Sequence, residues 1–494
     1  MAAGDKARFG IPGLDDILSG GLAPGRLYLL EGSPGTGKTT IATQFLIAGA
    51  AEGERCLYIT LSETEDEYRI SAESHGWDLG GIDIFELLPA ADLLDEQQQQ
   101  SLLYSSDLEL GETTKRIFEA FERVKPHRVV VDSLSEIMLL AQSPLRYRRQ
   151  ILALKHYFVR HGATVLMLDD LTAEQNDKTM HSIAHGVIHL DELSPEYGAE
   201  RRRTRIIKYR GQKYRGGFHD FVIGSGGARV FPRLVSLEHH TGFDRQIMVT
   251  GSAELDALLG GGIEQGSSTL ILGPAGTGKT LLALKFVATA AARGERAAMF
   301  IFDEERNLLF KRALSLGMDL KAMIDAGALV IEQVDAAELS PGEFTERVRM
   351  CVEQNGVTTV VIDSLNGYRA AMPEEQALIL HMHELLQYLN RKGASTFLTV
   401  AQHGLVGNMK SPVDITYLSD TVILLRYFEA LGEVRRAISV IKKRTGTHEN
   451  TIREYVIDGR GITLGEPLRS FHGVLRGVPT LAGQGEAPLL DLED

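Results

Sequence analysis

Two stretches of this chain, EGSPGTGKTT (Glu31 to Thr40) and LGPAGTGKTL (Leu272 to Leu281), fit one pattern, G-x-x-x-x-G-K-[ST]. Their lysines, Lys38 and Lys279, lie 279 − 38 = 241 positions apart. The same shift pairs Gly10 with Gly251, Asp15 with Asp256, Gly25 with Gly266, and Glu63 with Glu304. It also pairs GER at Gly53 with GER at Gly294, and SHGWDL from Ser74 with SLGMDL from Ser315. Further on, VVVDSL carries Asp132 and VVIDSL carries Asp363, a shift of 363 − 132 = 231. The first half therefore holds 241 − 231 = 10 extra residues, and the polar run LLDEQQQQSLLYSSD from Leu93 is the place for them. A period this long is a domain duplication, not a solenoid. The expected domains are 1–240 and 241–470, with a short tail over 471–494 and the seam in FPRLVSLEHHTGFDRQ, Phe231 to Gln246.

Each half alternates short β-rich runs with helical stretches. RLYLLEG leads into the first loop, TTIATQFLIAGAAEG follows it as a helix, and RCLYITLSE, RVVVDSL, TVLMLDD and VIHLDEL continue as strands. Continuous apolar strands separated by helices imply a mainly parallel sheet covered on both faces, so the fold class is α/β, twice in tandem.

The loops carry chemistry because successive glycines let backbone N–H groups converge on phosphate oxygens at the positive end of a helix. The cradle is Gly32, Ser33, Pro34, Gly35, Thr36 and Gly37 with Thr40 behind it, and Gly273, Pro274, Ala275, Gly276, Thr277 and Gly278 with Leu281 behind it. Lys38 and Lys279 are expected on the β- and γ-phosphates of a bound nucleotide, and Thr39 and Thr280 on Mg²⁺. Asp132 and Asp363 each end an apolar strand, which sets a carboxylate beside the loop for the same metal.

Composition narrows the class. Of 494 residues, 44% are apolar and 24% charged, the balance of a globular protein, and no apolar run approaches a membrane span. The N-terminus MAAGDKARFGIPG lacks the basic-then-apolar pattern of a signal peptide. Two cysteines, Cys56 and Cys351, make neither a disulfide framework nor a zinc set, which fits a reducing cytoplasm. A net charge of −14 argues against an extended nucleic-acid surface, although ERRRTRIIKYRGQKYRGG from Glu200 is locally basic. Its Arg201 to Arg203 are read as a solvated strand edge. HSIAHGVIH spaces His181, His185 and His189 by four, but Gly186 starts a strand, so the three cannot share a helical face.

On both loops, VDSL and IDSL, IIKYRG (Ile206 to Gly211), VIKKRTGTHENTIRE (Val440 to Glu454) and LRGVPT (Leu475 to Thr480), the chain resembles the RecA-like ATPases, specifically the double-domain KaiC family of clock and clock-like proteins. The resemblance implies two RecA-like P-loop domains and a double-ringed homohexamer with ATP between neighbouring subunits. It implies catalytic carboxylates after the second strand: Glu304 and Glu305 in FIFDEERN, with Glu304 also near the metal. In YITLSETED, Ser62 stands for the first glutamate and Glu63 remains. It also implies cations reaching the neighbour's γ-phosphate, namely Lys208 and Arg210, then Lys442 and Arg444, with Arg436 close by. His75 and Leu316 fall where the family places an aromatic beside adenine, which leaves base selectivity open.

That family's second half also phosphorylates itself on adjacent serine and threonine. Here Thr416 matches the serine, Tyr417 replaces the threonine, and Ser411 and Ser419 are the neighbouring hydroxyls. The EQQQQ region (Glu96 to Gln100) is where the family meets a small partner, so a KaiB-like protein is the corresponding expectation. The acidic tail LAGQGEAPLLDLED lacks the longer segment that takes the family's activator. The function expected is an ATP-hydrolysing signalling protein with Ser/Thr autokinase activity. A DNA-dependent recombinase or helicase-like motor and a non-catalytic nucleotide-gated scaffold are the rivals.

Overall fold

The computed structural model describes residues 6–87, 102–171, 179–195, 198–239, 242–372, 374–402, 416–430, 432–459, 461–476 and 480–481. The chain divides into two compact units, Met1–Arg233 and Leu234–Asp494. In the first, β1 (Leu27–Glu31), β2 (Cys56–Thr60), β3 (Ile82–Glu86), β4 (Arg128–Asp132), β5 (Thr164–Asp169) and β6 (Gly186–Leu193) run parallel. The sheet continues antiparallel through β7 (Arg201–Tyr209), β8 (His219–Gly224) and β9 (Gly227–Phe231), in the order β3-β2-β4-β5-β1-β6-β7-β8-β9.

The second unit opens with a short antiparallel pair, β10 (Ile247–Met248) and β11 (Ile263–Glu264). Its parallel strands are β12 (Ser268–Gly273), β13 (Arg296–Ile301), β14 (Leu329–Gln333), β15 (Val357–Asp363), β16 (Ser395–Ala401) and β17 (Thr421–Ala430). β18 (Glu433–Lys443), β19 (Arg453–Asp458) and β20 (Gly461–Pro467) extend it antiparallel, giving β14-β13-β15-β16-β12-β17-β18-β19-β20. Strand for strand this is the order of the first unit. Two further short strands, β21 (Phe471–His472) and β22 (Thr480–Leu481), pair beyond it.

β1, β2 and β4 are buried at every position because helices cover both faces of the sheet. Alternate residues feed two apolar layers. Leu30 and Tyr58 join Phe45 of the helix Lys38–Ala51 on one side, while Leu29, Ile59 and Val131 join Phe158 of the helix Pro144–Arg160 on the other. From strand end to strand end the first unit takes 132 − 86 = 46 positions between β3 and β4 where the second takes 363 − 333 = 30. The helix Leu320–Asp325, which the second unit has ahead of β14, offsets six of the sixteen, and a longer helix supplies part of the excess. Leu102–Val124 has 23 residues where its counterpart Pro341–Glu353 has 13. Gln97 to Gln100 lie outside the described residues.

The arginines of the basic stretch are not on a strand edge. β7 lies between β6 and β8, and two of its arginines, Arg202 and Arg203, face acids on β6. Arg202 is 3.1 Å from Glu192, and Arg203 is 2.8 Å from Asp191 and stacked over Phe218. Internal pairing absorbs the charge of these two arginines.

Candidate functional site

In each unit the central strand stops at a glycine loop and a 14-residue helix begins at the loop lysine. The N-caps Gly37 and Gly278 are left-handed, with φ of 95° and 91°, which favours glycine. Neither offers a side-chain cap, so the first-turn amides of both helices are open to an anion. A side chain at Gly32 would meet the Leu190 carbonyl at 2.8 Å, and one at Gly273 the Leu425 carbonyl at 2.5 Å. The backbone thus needs glycine at the entry to each loop.

Within the first loop, Lys38 Nζ donates to the carbonyls of Gly32 (2.8 Å) and Ser33 (2.9 Å) and lies 2.8 Å from Asp170. Thr39 Oγ1 donates to Asp132 Oδ2 at 3.0 Å, and the Tyr58 hydroxyl donates to the same oxygen at 2.6 Å. Burial raises the Asp132 carboxyl, with those two hydrogen bonds opposing. Glu63, on the turn after β2, is raised by partial burial and then by the charge of Asp132, which places the two carboxylates within mutual influence. In the second loop, Lys279 Nζ donates to the Pro274 carbonyl at 2.8 Å. Burial lowers Lys279, and the charge of Asp363 opposes this. Asp363 accepts from Thr399 of β16. Glu304 is raised by burial, lowered by Arg312 (2.7 Å away) and raised again by Asp363. Lys279, Asp363 and Glu304 therefore gather at one strand end, as Lys38, Asp132 and Glu63 do.

The helix caps fix the register of the glutamates. Thr64 caps the helix Glu65–Ser74 and Glu305 occupies the N-cap of Arg306–Ser315, so Thr64 and Glu305 are equivalent. Glu63 then matches Glu304, and Ser62 matches Asp303 rather than a glutamate. Glu305 is drawn to its own helix start, where it accepts from Asn307 at 2.9 Å. Asp303 accepts from Ser364 at 2.5 Å, so the second unit holds two carboxylates, Asp303 and Glu304, where the first holds Glu63 alone.

The cations of the late strands make the same contacts in both units. Lys208 donates to the His181 carbonyl and Arg210 to that of Ser182 at 2.9 Å. Lys442 donates to the carbonyls of Thr416 (2.9 Å) and Ser419 (2.8 Å), and Arg444 to that of Tyr417. Arg436 lies 5.6 Å from the ring of Tyr427. Lys208, Arg210, Lys442 and Arg444 thus contact the segment just before β6 or β17, whereas Arg436 contacts β17 itself. Thr416 sits on the segment before β17, Ser419 is fully buried, and Ser411 lies outside the described residues.

A cluster not foreseen from the sequence lies beside the first loop. Glu31 is buried and accepts from His181 Nε2 at 2.7 Å and His189 Nδ1 at 3.1 Å. Burial pushes its carboxyl up, but the bonds from His189 and His181 outweigh it and hold it below the usual value. Two of the three spaced histidines meet through strand neighbours: Glu31 pairs with His189 across β1 and β6, and His181 comes from the short helix Thr179–Ile183. His185 accepts instead from the Leu27 amide at 3.4 Å.

The pieces fit a nucleotide with a hard divalent ion: open helix-start amides, a buried lysine, and hydroxyl and carboxylate oxygens side by side. Among the described residues no group of His, Cys, Asp and Glu forms a separate metal cage, and no helix is long and apolar enough to cross a membrane.

The family model described as "ATPase: KaiC" matches residues 7–235 and again 248–469. The chain is 29% identical over 496 residues to the circadian clock protein KaiC3 of Synechocystis, covering 98% of this chain and 97% of that one. It is 30% identical to the circadian clock oscillator protein KaiC of Synechococcus elongatus, over 96% of this chain and 92% of the relative. Identity to the KaiC of Thermostichus vulcanus is also 30%, over 95% and 91%.

Proposed function

This chain belongs to the KaiC family of ATPases, and from that premise we propose that both loops bind Mg·ATP while their duties differ. Lys38, Thr39 and Asp132 would hold one nucleotide and its metal, and Lys279, Thr280 and Asp363 the other. The metal would supply charge neutralisation at the β- and γ-phosphates. Glu63 and Glu304 are the carboxylates placed to orient a nucleophile. Six chains form a double ring in which Lys208, Arg210, Lys442 and Arg444 act on a neighbour's nucleotide, with Arg436 beside them. Phosphoryl transfer to protein is confined to the second unit, with Thr416 as acceptor. The protein works in the cytoplasm, signalling by shape change to a small KaiB-like partner.

The observation that supports this reading best is the matched lysine, threonine and aspartate set at the same strand end of two sheets with one strand order. The pairing of Arg202 and Arg203 with acids of β6 weighs against a DNA motor. Native mass spectrometry with and without Mg·ATP, run beside a phosphate-release assay, tests the assembly. The expected result is a hexamer in nucleotide that releases phosphate. Monomer alone at micromolar concentration in ATP contradicts it, and hexamers that release no phosphate point to the scaffold.

A further inference from the structure

Asp132 is nearly inaccessible to water, and both of its side-chain hydrogen bonds described above end on one oxygen, Oδ2. The shorter comes from Tyr58, which the phosphate-loop pattern does not include. Tyr58 projects from β2, whose Thr60 is the register partner of Asp132. Its ring stacks on Tyr68 with centroids 3.9 Å apart and an interplanar angle of 13°. The Tyr68 hydroxyl is 3.0 Å from Thr43 Oγ1, which donates to the Thr39 carbonyl at 2.7 Å. A closed chain of contacts thus runs from the loop helix through two tyrosines to the carboxylate and back to Thr39.

The second unit keeps the two ends of this chain, Thr280 and Asp363, and lacks the three members between them. A shift of 241 sets Met299, Leu309 and Leu284 at the positions of Tyr58, Tyr68 and Thr43, all three buried. There the aspartate is held from its other flank, by Thr399 of β16, where the first unit has Leu168.

We infer that Tyr58 is a positioning residue for the first unit's metal site, fixing the Asp132 carboxylate through Oδ2 and leaving Oδ1 to serve the ion. The inference rests on the reading that Thr39 and Asp132 hold Mg²⁺. A carboxylate anchored only by Thr39 would lose its anchor when that hydroxyl is given to a metal. Tyr58 supplies a second anchor that the metal does not compete for. A hydrogen bond to a charged group inside a protein is a strong one, so its loss is expected to be plain.

The test uses the full-length protein carrying Lys279→Ala, so that the first site dominates, with Mn²⁺ binding in the presence of ATP read by electron paramagnetic resonance. Tyr58→Phe keeps the ring and the stack. It is expected to weaken Mn²⁺ binding about tenfold while ATP binding in EDTA stays unchanged. Tyr58→Met, which installs the residue of the second unit, is expected to give the same loss and serves if the first variant misfolds. Tyr68→Phe leaves the bond to Asp132 in place and is expected to bind Mn²⁺ normally. Unchanged Mn²⁺ affinity in Tyr58→Phe, beside a clear loss in Asp132→Asn, overturns the inference and spares the site. Unchanged affinity in Asp132→Asn as well overturns both.

Discussion

Glu31 and Leu272 occupy the same buried rung, just before the first glycine of each phosphate loop. Around Glu31 the neighbouring strands place Asp169 and His189, and around Leu272 they place Val400 and Leu424. One position further, Asp170 reaches Lys38, and the counterpart of Asp170 is Ala401. His181, whose carbonyl holds Lys208, stands where Thr416, whose carbonyl holds Lys442, stands in the second unit. The loop backbone is thus indifferent to what lies beneath it. Its glycines and helix start set the phosphate geometry, and the side chains around it are free to diverge. The first loop has a polar, carboxylate-rich surround in which an arriving phosphate would compete with Asp170 for Lys38. The second has an apolar floor, a second carboxylate at Asp303 and a hydroxyl at Thr416.

The largest expected effect that breaks the likeness of the two units is on stability. Arg128, at the start of β4, is fully buried against the helix Lys38–Ala51. It donates to the Phe45 carbonyl at 2.9 Å and to Glu52 at 2.7 Å, and also pairs with Glu54. Its counterpart is Thr359. Arg128→Ala removes donors from buried carbonyls and leaves a cavity, while Glu52 and Glu54, partly exposed, rehydrate. The expected loss is about 2–4 kcal/mol, confined to the first unit. Differential scanning calorimetry combined with limited proteolysis checks this. Cleavage is expected to begin within 6–233 at lower temperature, with the onset within 242–481 unmoved.

A smaller effect sharpens the comparison at the carboxylates. Ser62 is exposed, and the buried Ser133 stands where Ser364 supports Asp303. Ser62→Asp gives the first unit the second unit's pair. In the Lys279→Ala background, phosphate release is expected to rise about threefold to tenfold, a modest gain because Glu63 is already in place. A fall, or no change, in a protein that still binds ATP would mean that the second carboxylate is not what separates the two sites.

The duplication, the loops, the strand-ending aspartates and the covered parallel sheet were legible because each is a local pattern: glycine spacing, an apolar run, a helix start. What was not legible depends on strand neighbours. Glu31, His181 and His189 are distant in sequence and meet only because β1 lies between β5 and β6. Counting histidines every four residues looked for a helical face and so missed a cross-strand pair. Tyr58 reads as one more aromatic in a buried strand until β2 is known to lie beside β4. The shift of 241 already pairs Glu63 with Glu304; setting Ser62 against a glutamate slides SETED over DEERN by one residue, and the helix caps expose that slip. The arginines of β7 looked like an edge because sequence does not reveal the acids opposite them.

The central claim is that two like loops serve unlike chemistry, and peptide-resolved mass spectrometry of Lys38→Ala and Lys279→Ala proteins after incubation with Mg·ATP tests it most directly. Removing a cation from the transferring phosphate typically costs about 3 kcal/mol or more of barrier, so the outcome is expected to be plain, not graded. The account predicts phosphate on the peptide containing Thr416 in Lys38→Ala hexamers and none in Lys279→Ala. Phosphate on Thr416 in the Lys279→Ala protein, or its loss from intact Lys38→Ala hexamers, would contradict the account.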